Sequence, residues 1–265
     1  MARKTITGLS PIAEQIVSER MMLIASKRIE SAMQAELRRA WSELTSAAGD
    51  TGATAAIVAA HGERVAQILT TNWVNIWSQF GRRILSGAMK HSGQPMETKR
   101  AVPLTPLFDE ARQKWINLFG AVKVTQITST TKEQAQKIIN QAIADAVAAG
   151  LDERGAAALL RSRMAEQGAT LSRLRSRVIA RTEAHNASTA ATQAAAESAE
   201  IPMKREWIAS GGERTREDHL NANGQIVGMY EPFSVGGESL MYPGDPNGSA
   251  EQVINCRCVV AYIPE

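Results

Sequence analysis

The sequence predicts a mainly α fold with a small α+β module at its C-terminal end: long helices form the N-terminal body, and short strands and loops follow residue 202. Three observations carry that prediction. Before Pro202, apolar residues recur at three- and four-residue steps, the period of a helix with one buried face. After Pro202, the pairs Gly211-Gly212, Asn223-Gly224 and Gly236-Gly237 and the run Pro243-Gly244-Asp245-Pro246 break the chain at intervals too short for long helices. Finally, 265 residues that are 44% hydrophobic suffice for a sizeable core.

The first helix runs from Ile12 to about Ala48, with Ile12, Ile16, Leu23, Met33, Leu37, Trp41 and Leu44 on its apolar stripe. Gly49-Asp50-Thr51-Gly52 punctuates it. A second pattern through Ile57, Val65, Ile68, Leu69, Trp73, Ile76, Trp77 and Phe80 predicts a helix packed antiparallel to the first. His91 to Pro106 holds Gly93, Pro95 and Pro103 and reads as a connector. Helix resumes near Leu107, with Phe108, Ala111, Trp115, Leu118 and Phe119 on one stripe, and Val122-Lys123-Val124 marks a brief extended link. Thr130 or Thr131, with Glu133 behind it, is placed to cap a helix ending at Ala149, where Gly150 can turn left-handed. Asp152 begins another helix. Leu171 to about Ala199 is Ala-rich, with Leu174, Val178, Ile179 and Ala180 on a close-packed seam. Beyond Pro202, strands are expected at Lys204 to Ala209, Gln225 to Met229 and Arg257 to Ile263, the first and last with one face against the long helix.

The net charge of +3, from 30 basic and 27 acidic residues, is too small a surplus to imply nucleic acid by itself. Arg161, Arg163, Arg173, Arg175, Arg177 and Arg181 do cluster in sequence. They read either as a solvated face answered by acidic neighbours or as a phosphate-contacting surface, for which Arg173, Arg175 and Arg177 are the candidates. No window approaches the roughly 18 consecutive apolar residues of a spanning helix, and Met1-Ala2-Arg3-Lys4-Thr5 leads into polar sequence; a cytosolic product is expected.

Both cysteines, Cys256 and Cys258, flank Arg257, so in an extended strand their side chains share one face and Arg257 takes the other. A disulfide between them would close a small strained ring, which leaves two readings: small buried hydrophobes, or thiolate ligands of a structural zinc. His219 would be the third ligand, with His185, Asp218 or Asp245 as a fourth; alternatively His219 is satisfied by hydrogen bonds within the loops. Arg214-Thr215-Arg216 is placed to open a short helix, its guanidiniums either meeting phosphate or carboxylate or pairing with Asp218 or Asp245. An enzymatic reading makes His219 a general base, oriented by Glu183, Asp218 or Asp245, with Arg216 as phosphate clamp: a metal-dependent nuclease or other hydrolase. Trp41, Trp73, Trp77 and Trp115 fall on helical apolar stripes, and Trp207 anchors the first strand; base stacking would need these rings exposed.

In motif order, Ala180-Arg181-Thr182-Glu183, Trp207, Arg214-Thr215-Arg216, Asp218-His219, Gly224-Gln225, Pro243-Gly244-Asp245-Pro246 and Asn255-Cys256-Arg257-Cys258 resemble the phage Mu protein F-like minor head, or head morphogenesis, proteins. The resemblance covers roughly residues 130 to 265. It implies a domain at 126–265; the helical region at 1–125 carries no motif of the family, and its amphipathic helices suit either docking on portal or on itself or an internal core. It implies a non-enzymatic minor capsid protein of a tailed phage, acting in procapsid assembly at the portal vertex and in DNA packaging or ejection. The implied partners are the portal protein, the major capsid or scaffolding protein, packaged DNA and further copies of itself, with no membrane. The implied location is the capsid interior, after assembly in the host cytoplasm. Arg181, Glu183, Trp207, Arg214, Arg216, Asp218, Asp245 and Asn255 are its motif residues. Some relatives carry a toxin domain after this module; ending at Glu265, this chain is expected to have none.

Overall fold

The computed structural model describes residues 4–47, 51–93 and 104–265. Four long helices come first: α1 (Pro11–Ser46), α2 (Thr51–His91), α3 (Pro106–Ala148) and α4 (Glu153–Glu197). The chain then changes character through β1 (Met203–Ile208), α5 (Glu217–Asn221), β2 (Ile226–Gly228), β3 (Phe233–Val235), β4 (Glu238–Leu240), α6 (Ala250–Val253) and β5 (Val259–Pro264). This is the mainly α fold with a small C-terminal α+β module that the periodicities predict.

Two compact units share the long helices. One comprises Met1–Lys27, Thr71–Asn117 and Arg181–Glu265, the other Arg28–Thr70 and Leu118–Ala180. The expected boundary at 125/126 falls within α3.

In the first unit α1 and α2 run antiparallel: a Cβ on Gly87 would meet the Ile6 carbonyl, and further along the pair Arg83 forms an ion pair with Glu14. Trp73 and Trp77 of α2 meet Trp115 and Phe108 of α3 at centroid separations of 5.2 and 5.5 Å. Gly81 is required there, because any side chain would run into the Phe108 ring. The buried part of α4 in this unit includes Ala184, Ala187, Ala191 and Ala195, small enough for close approach of neighbouring elements, beside the buried polar residues His185, Asn186 and Gln193. The C-terminal sheet has the order β2-β1-β5, all antiparallel, with Trp207 opposite Val260 and Arg205 opposite both Val227 and Tyr262. Tyr262 Oη donates to Gln193 Oε1 at 3.2 Å and so fastens β5 to α4. The hairpin β3-β4 turns at Gly236 and Gly237, whose φ values of 58° and 81° suit a two-residue turn with both centres left-handed.

The second unit buries Met33, Leu37, Trp41 and Leu44 of α1, Val65 and Leu69 of α2, and Ile127, Ala135 and Ile138 of α3. Its polar centre is Glu36, which receives Arg64 at 2.8 Å and faces His61 Nδ1 at 2.8 Å.

Several expectations are corrected. Val122-Lys123-Val124 is helical, inside an unbroken α3. Thr130 and Thr131 cap nothing; each hydroxyl bonds back to a carbonyl four residues earlier in α3, Gln126 and Ile127 respectively. The helix expected from Leu171 begins at Glu153. Ile12, Ile16 and Leu23 are 69%, 63% and 55% exposed, and the N-terminal part of α1 buries Glu14, Ser18, Met22 and Ala25 instead. Leu118, Leu174 and Val178 are likewise exposed, the α4 seam being carried by Ser172, Ser176 and Ala180 instead. Gly150 does turn left-handed after α3, and Asp152 Oδ1 accepts from Gly155 N at the start of α4. The strands begin and end within two residues of their predicted bounds, and β3 and β4 are additional. Gly49, Asp50, Pro95 and Pro103 lie outside the described residues.

Candidate functional site

The approach to Cys256 and Cys258 is shaped by one backbone conformation. Asn255 adopts φ of 58°, a left-handed geometry that Asn tolerates better than other side-chain-bearing residues, and its N–H donates to Thr182 Oγ1 of α4 at 3.2 Å. This kink between α6 and β5 turns both cysteines inward, 3% and 1% exposed, while Arg257 between them stays exposed. α5 brings His219, 1% exposed, to the same point. His219 Nδ1 lies 3.3 Å from Cys258 Sγ and 3.6 Å from Cys256 Sγ. The three ligand atoms lie within 4.8 Å of one another, and both thiols are unbridged.

The other side of His219 is held by a chain of amide and carboxylate. Gln252 Nε2 donates to Asp218 Oδ2 at 3.0 Å, which turns Gln252 Oε1 toward His219 Nε2 at 2.9 Å. An amide oxygen can only accept, so Nε2 carries a proton, and in the corresponding neutral tautomer the Nδ1 lone pair faces the two sulfurs. Gly236 lies against this chain; a Cβ there would collide with Asp218 and Gln252. Trp207, fully buried, stands edge-on to the imidazole at 5.6 Å and to Phe233 at 5.3 Å. A hydrogen bond with the Cys256 thiol draws Cys258 down to about 5 against the effect of burial. Burial pushes Cys256 well above the usual thiol range.

A recess of about 500 Å³ opens onto this cluster. Its walls carry Arg181, Arg214, Arg216 and Arg257, with Glu213 the one acidic side chain among the described lining residues. Arg216 Nη2 also donates to Ile254 O at 2.5 Å, which ties the start of α5 to the end of α6.

The proposed fourth ligands lie elsewhere. Asp218 is engaged with Gln252, as described above. Asp245 accepts from Met241 N at 2.9 Å and Asn247 N at 3.0 Å, fixing the Pro-Gly-Asp-Pro turn. His185 Nε2 faces the Cys258 carbonyl at 2.8 Å, and burial holds its pKa below the usual value. His219 is therefore oriented by an amide, where the enzymatic reading expected Glu183, Asp218 or Asp245; Glu183 is buried on α4. All five tryptophans are buried, which removes the exposure that base stacking needs. In the arginine run, Arg175 donates to Gln134 and to the Ile127 carbonyl, Arg177 pairs with Glu30 at 3.3 Å and Arg163 with Asp145 at 2.8 Å, while Arg173 is exposed.

Sequence reasoning missed two residues. Gln252 has no spacing signature, because its role exists only once α5 and α6 meet. Arg205 is fully buried beneath the module and donates to the Gly228, Glu231 and Met241 carbonyls and to Gln193. Within its predicted strand it was one more polar residue; the available signal was the alternation that puts Arg205 on the same face as Met203 and Trp207, both buried.

The order of these motifs on α4 and the C-terminal module is matched by a family model. Residues 137–261 match the model of the Phage Mu protein F like family. The chain is 36% identical over 93 residues to the uncharacterized protein YqbB of Bacillus subtilis, covering 34% of this chain and 30% of that protein. It is 31% identical over 169 residues to the minor head protein GP7 of Bacillus phage SPP1, covering 62% of this chain and 51% of that one. A third relative, the NAD(+)--arginine ADP-ribosyltransferase EFV of Enterococcus faecalis, is 36% identical over 83 residues, 30% of this chain and 17% of its own length. The chain thus spans about half or less of each of these relatives. No solved structure matches it. No helix among the described residues is long and apolar enough to cross a membrane.

Proposed function

We propose that this protein is a minor component of a tailed-phage head that acts by association during head assembly, at the portal vertex, and catalyses no reaction. The observation that carries this reading is the 169-residue similarity to a minor head protein, which is longer than the family segment 137–261 and so includes part of the helical body. The site supports it: the buried cluster sits among residues that tie α4, α5, α6 and β5 together, and the group that His219 Nε2 meets is the Gln252 amide. In this reading residues 126–265 are the head-morphogenesis module and 1–125 the docking region. Ile12, Ile16 and Leu23, spaced along one face of α1 and exposed, are the apolar surface that a portal subunit would cover. Packaged DNA is a lesser partner, since Arg175 and Arg177 are engaged within the protein.

The test is co-expression of the chain with the portal protein of the same phage, followed by affinity capture and protein analysis of purified heads. Co-purification with portal, together with a few copies in heads and no chelator-sensitive nuclease activity, is expected. Absence from heads, or turnover abolished by His219→Ala, would overturn it.

A further inference from the structure

We propose that Cys256 Sγ, Cys258 Sγ and His219 Nδ1 bind one zinc ion, whose fourth position opens to the arginine-lined recess and takes an anionic oxygen ligand from outside this triad. The inference is independent of the assembly role.

Geometry is the first support. A tetrahedral zinc with sulfur at ~2.3 Å and imidazole nitrogen at ~2.0–2.1 Å holds those two ligand atoms ~3.5 Å apart. The observed nitrogen–sulfur separations of 3.3 and 3.6 Å bracket that value.

The imidazole's outer partner is the second. Zinc-bound histidines characteristically donate their remaining N–H to an oxygen acceptor, which fixes the tautomer and the ring's orientation. Here Gln252 Oε1 is that acceptor, and it is itself fixed by Asp218. Two thiolates and an imidazole are a donor set that suits zinc over magnesium or calcium, which prefer oxygen.

The third support is what surrounds the triad. Among the described residues, the cluster of ligand atoms stops at three. Zinc sites that serve structure alone are closed by four protein ligands, whereas three leave a position for water or an exogenous group. The side from which that group can arrive is the recess, whose four arginines and single acid favour a carboxylate or phosphate oxygen.

The experiment uses the full chain, purified from zinc-supplemented cells and then exchanged to cobalt. Elemental analysis is expected to give about one equivalent of zinc, and the cobalt form a sulfur-to-metal charge-transfer band with intense tetrahedral d–d bands. Acetate or inorganic phosphate should shift the d–d bands, and Arg214→Ala should remove most of that shift while leaving metal content intact. Gln252→Ala should weaken cobalt affinity about 10–100-fold. This variant keeps the site testable even if Cys256→Ser or Cys258→Ser fails to fold. A folded wild-type chain that takes up neither zinc nor cobalt would overturn the site. Cobalt bands that ignore both anions would overturn the open position.

Discussion

Replacing Arg205 by methionine should cost the C-terminal module about 3 kcal/mol, the lower end of what breaking a buried charged network typically costs. The guanidinium donates to three backbone carbonyls, with Nε to Gly228 O at 3.1 Å, Nη1 to Met241 O at 2.5 Å and Nη2 to Glu231 O, while Nη1 also reaches Gln193 Oε1 at 3.1 Å. Methionine fills much of the same volume but donates to none of them, and each deprived carbonyl costs roughly 1 kcal/mol or more where water cannot replace the donor. The cation also lies 5.1 Å from the centre of the Phe233 ring, a contact worth about 0.5–2 kcal/mol. Against these losses stands relief from burying a charge, which burial already makes less favourable for Arg205. Gln193 keeps Tyr262 as a partner and loses less. At ~2–4 °C per kcal/mol for a chain of this size, the melting temperature should fall by about 6–12 °C. The near-ultraviolet signal of Trp207, which contacts Phe233, is the readout to follow, since it reports this module and not the helical second unit. Arg205→Lys, which keeps the charge but not the fork, should fall between wild type and Arg205→Met. An Arg205→Met protein that melts within about 1 °C of wild type would refute the claim that these four acceptors depend on the arginine.

Asn255→Gly should leave stability nearly unchanged, whereas Asn255→Val should cost about 1–2 kcal/mol in a denaturant titration, because φ of 58° is strained for a β-branched residue. Gly81→Val should destabilise the first unit by about 1–3 kcal/mol or more through collision with Phe108, visible as a shift in Trp77 fluorescence on unfolding. His61 is held below its ordinary value of 6.5 mainly by burial, despite Glu36 beside it. The unfolded chain therefore binds more protons in this window, so stability should be full above about pH 6.5 and fall as pH drops below it; His61→Gln should flatten that slope in pH-dependent melting. Ile16→Glu combined with Leu23→Glu should change melting by less than about 0.5 kcal/mol per site yet abolish capture by portal, because both residues are exposed in the isolated protein.

Helix existence was legible from sequence because a stripe such as Met33, Leu37, Trp41 and Leu44 has one period and one buried face. Helix breaks were less so. Thr130 and Thr131 look like caps, but a threonine hydroxyl can equally bond back to the preceding turn, and sequence does not say which. Exposure was least legible. Ile12 and Ile16 continue the period of Met33 and Leu37, so only the course of the neighbouring chain decides that they face solvent. The site followed the same division. Cys256, Cys258 and His219 could be grouped by residue chemistry, and they do meet. Their second partner Gln252 and the kink at Asn255 depend on how α5, α6 and β5 close on one another.

The motif residues then fall into two groups with different consequences. Trp207, Asp218, Asp245 and Asn255 hold the module together: an indole packed on His219, a carboxylate steering Gln252, a carboxylate closing a turn on two backbone N–H groups, and a kink bonded to Thr182. Their loss should act through folding. Arg181, Arg214 and Arg257 line the recess and are exposed, so their loss should act through contact with whatever the module meets. Arg216 belongs to both groups, holding Ile254 O while lining the recess, and Arg216→Lys separates them. Lysine retains the charge but offers a flexible ammonium in place of a planar fork. If the recess needs only positive charge, Arg216→Lys should keep portal and head association while lowering the melting temperature. If the fork itself grips a carboxylate or phosphate, association should fall by more than the stability change explains. Measuring both in the same preparation assigns Arg216 to the scaffold or to the interface.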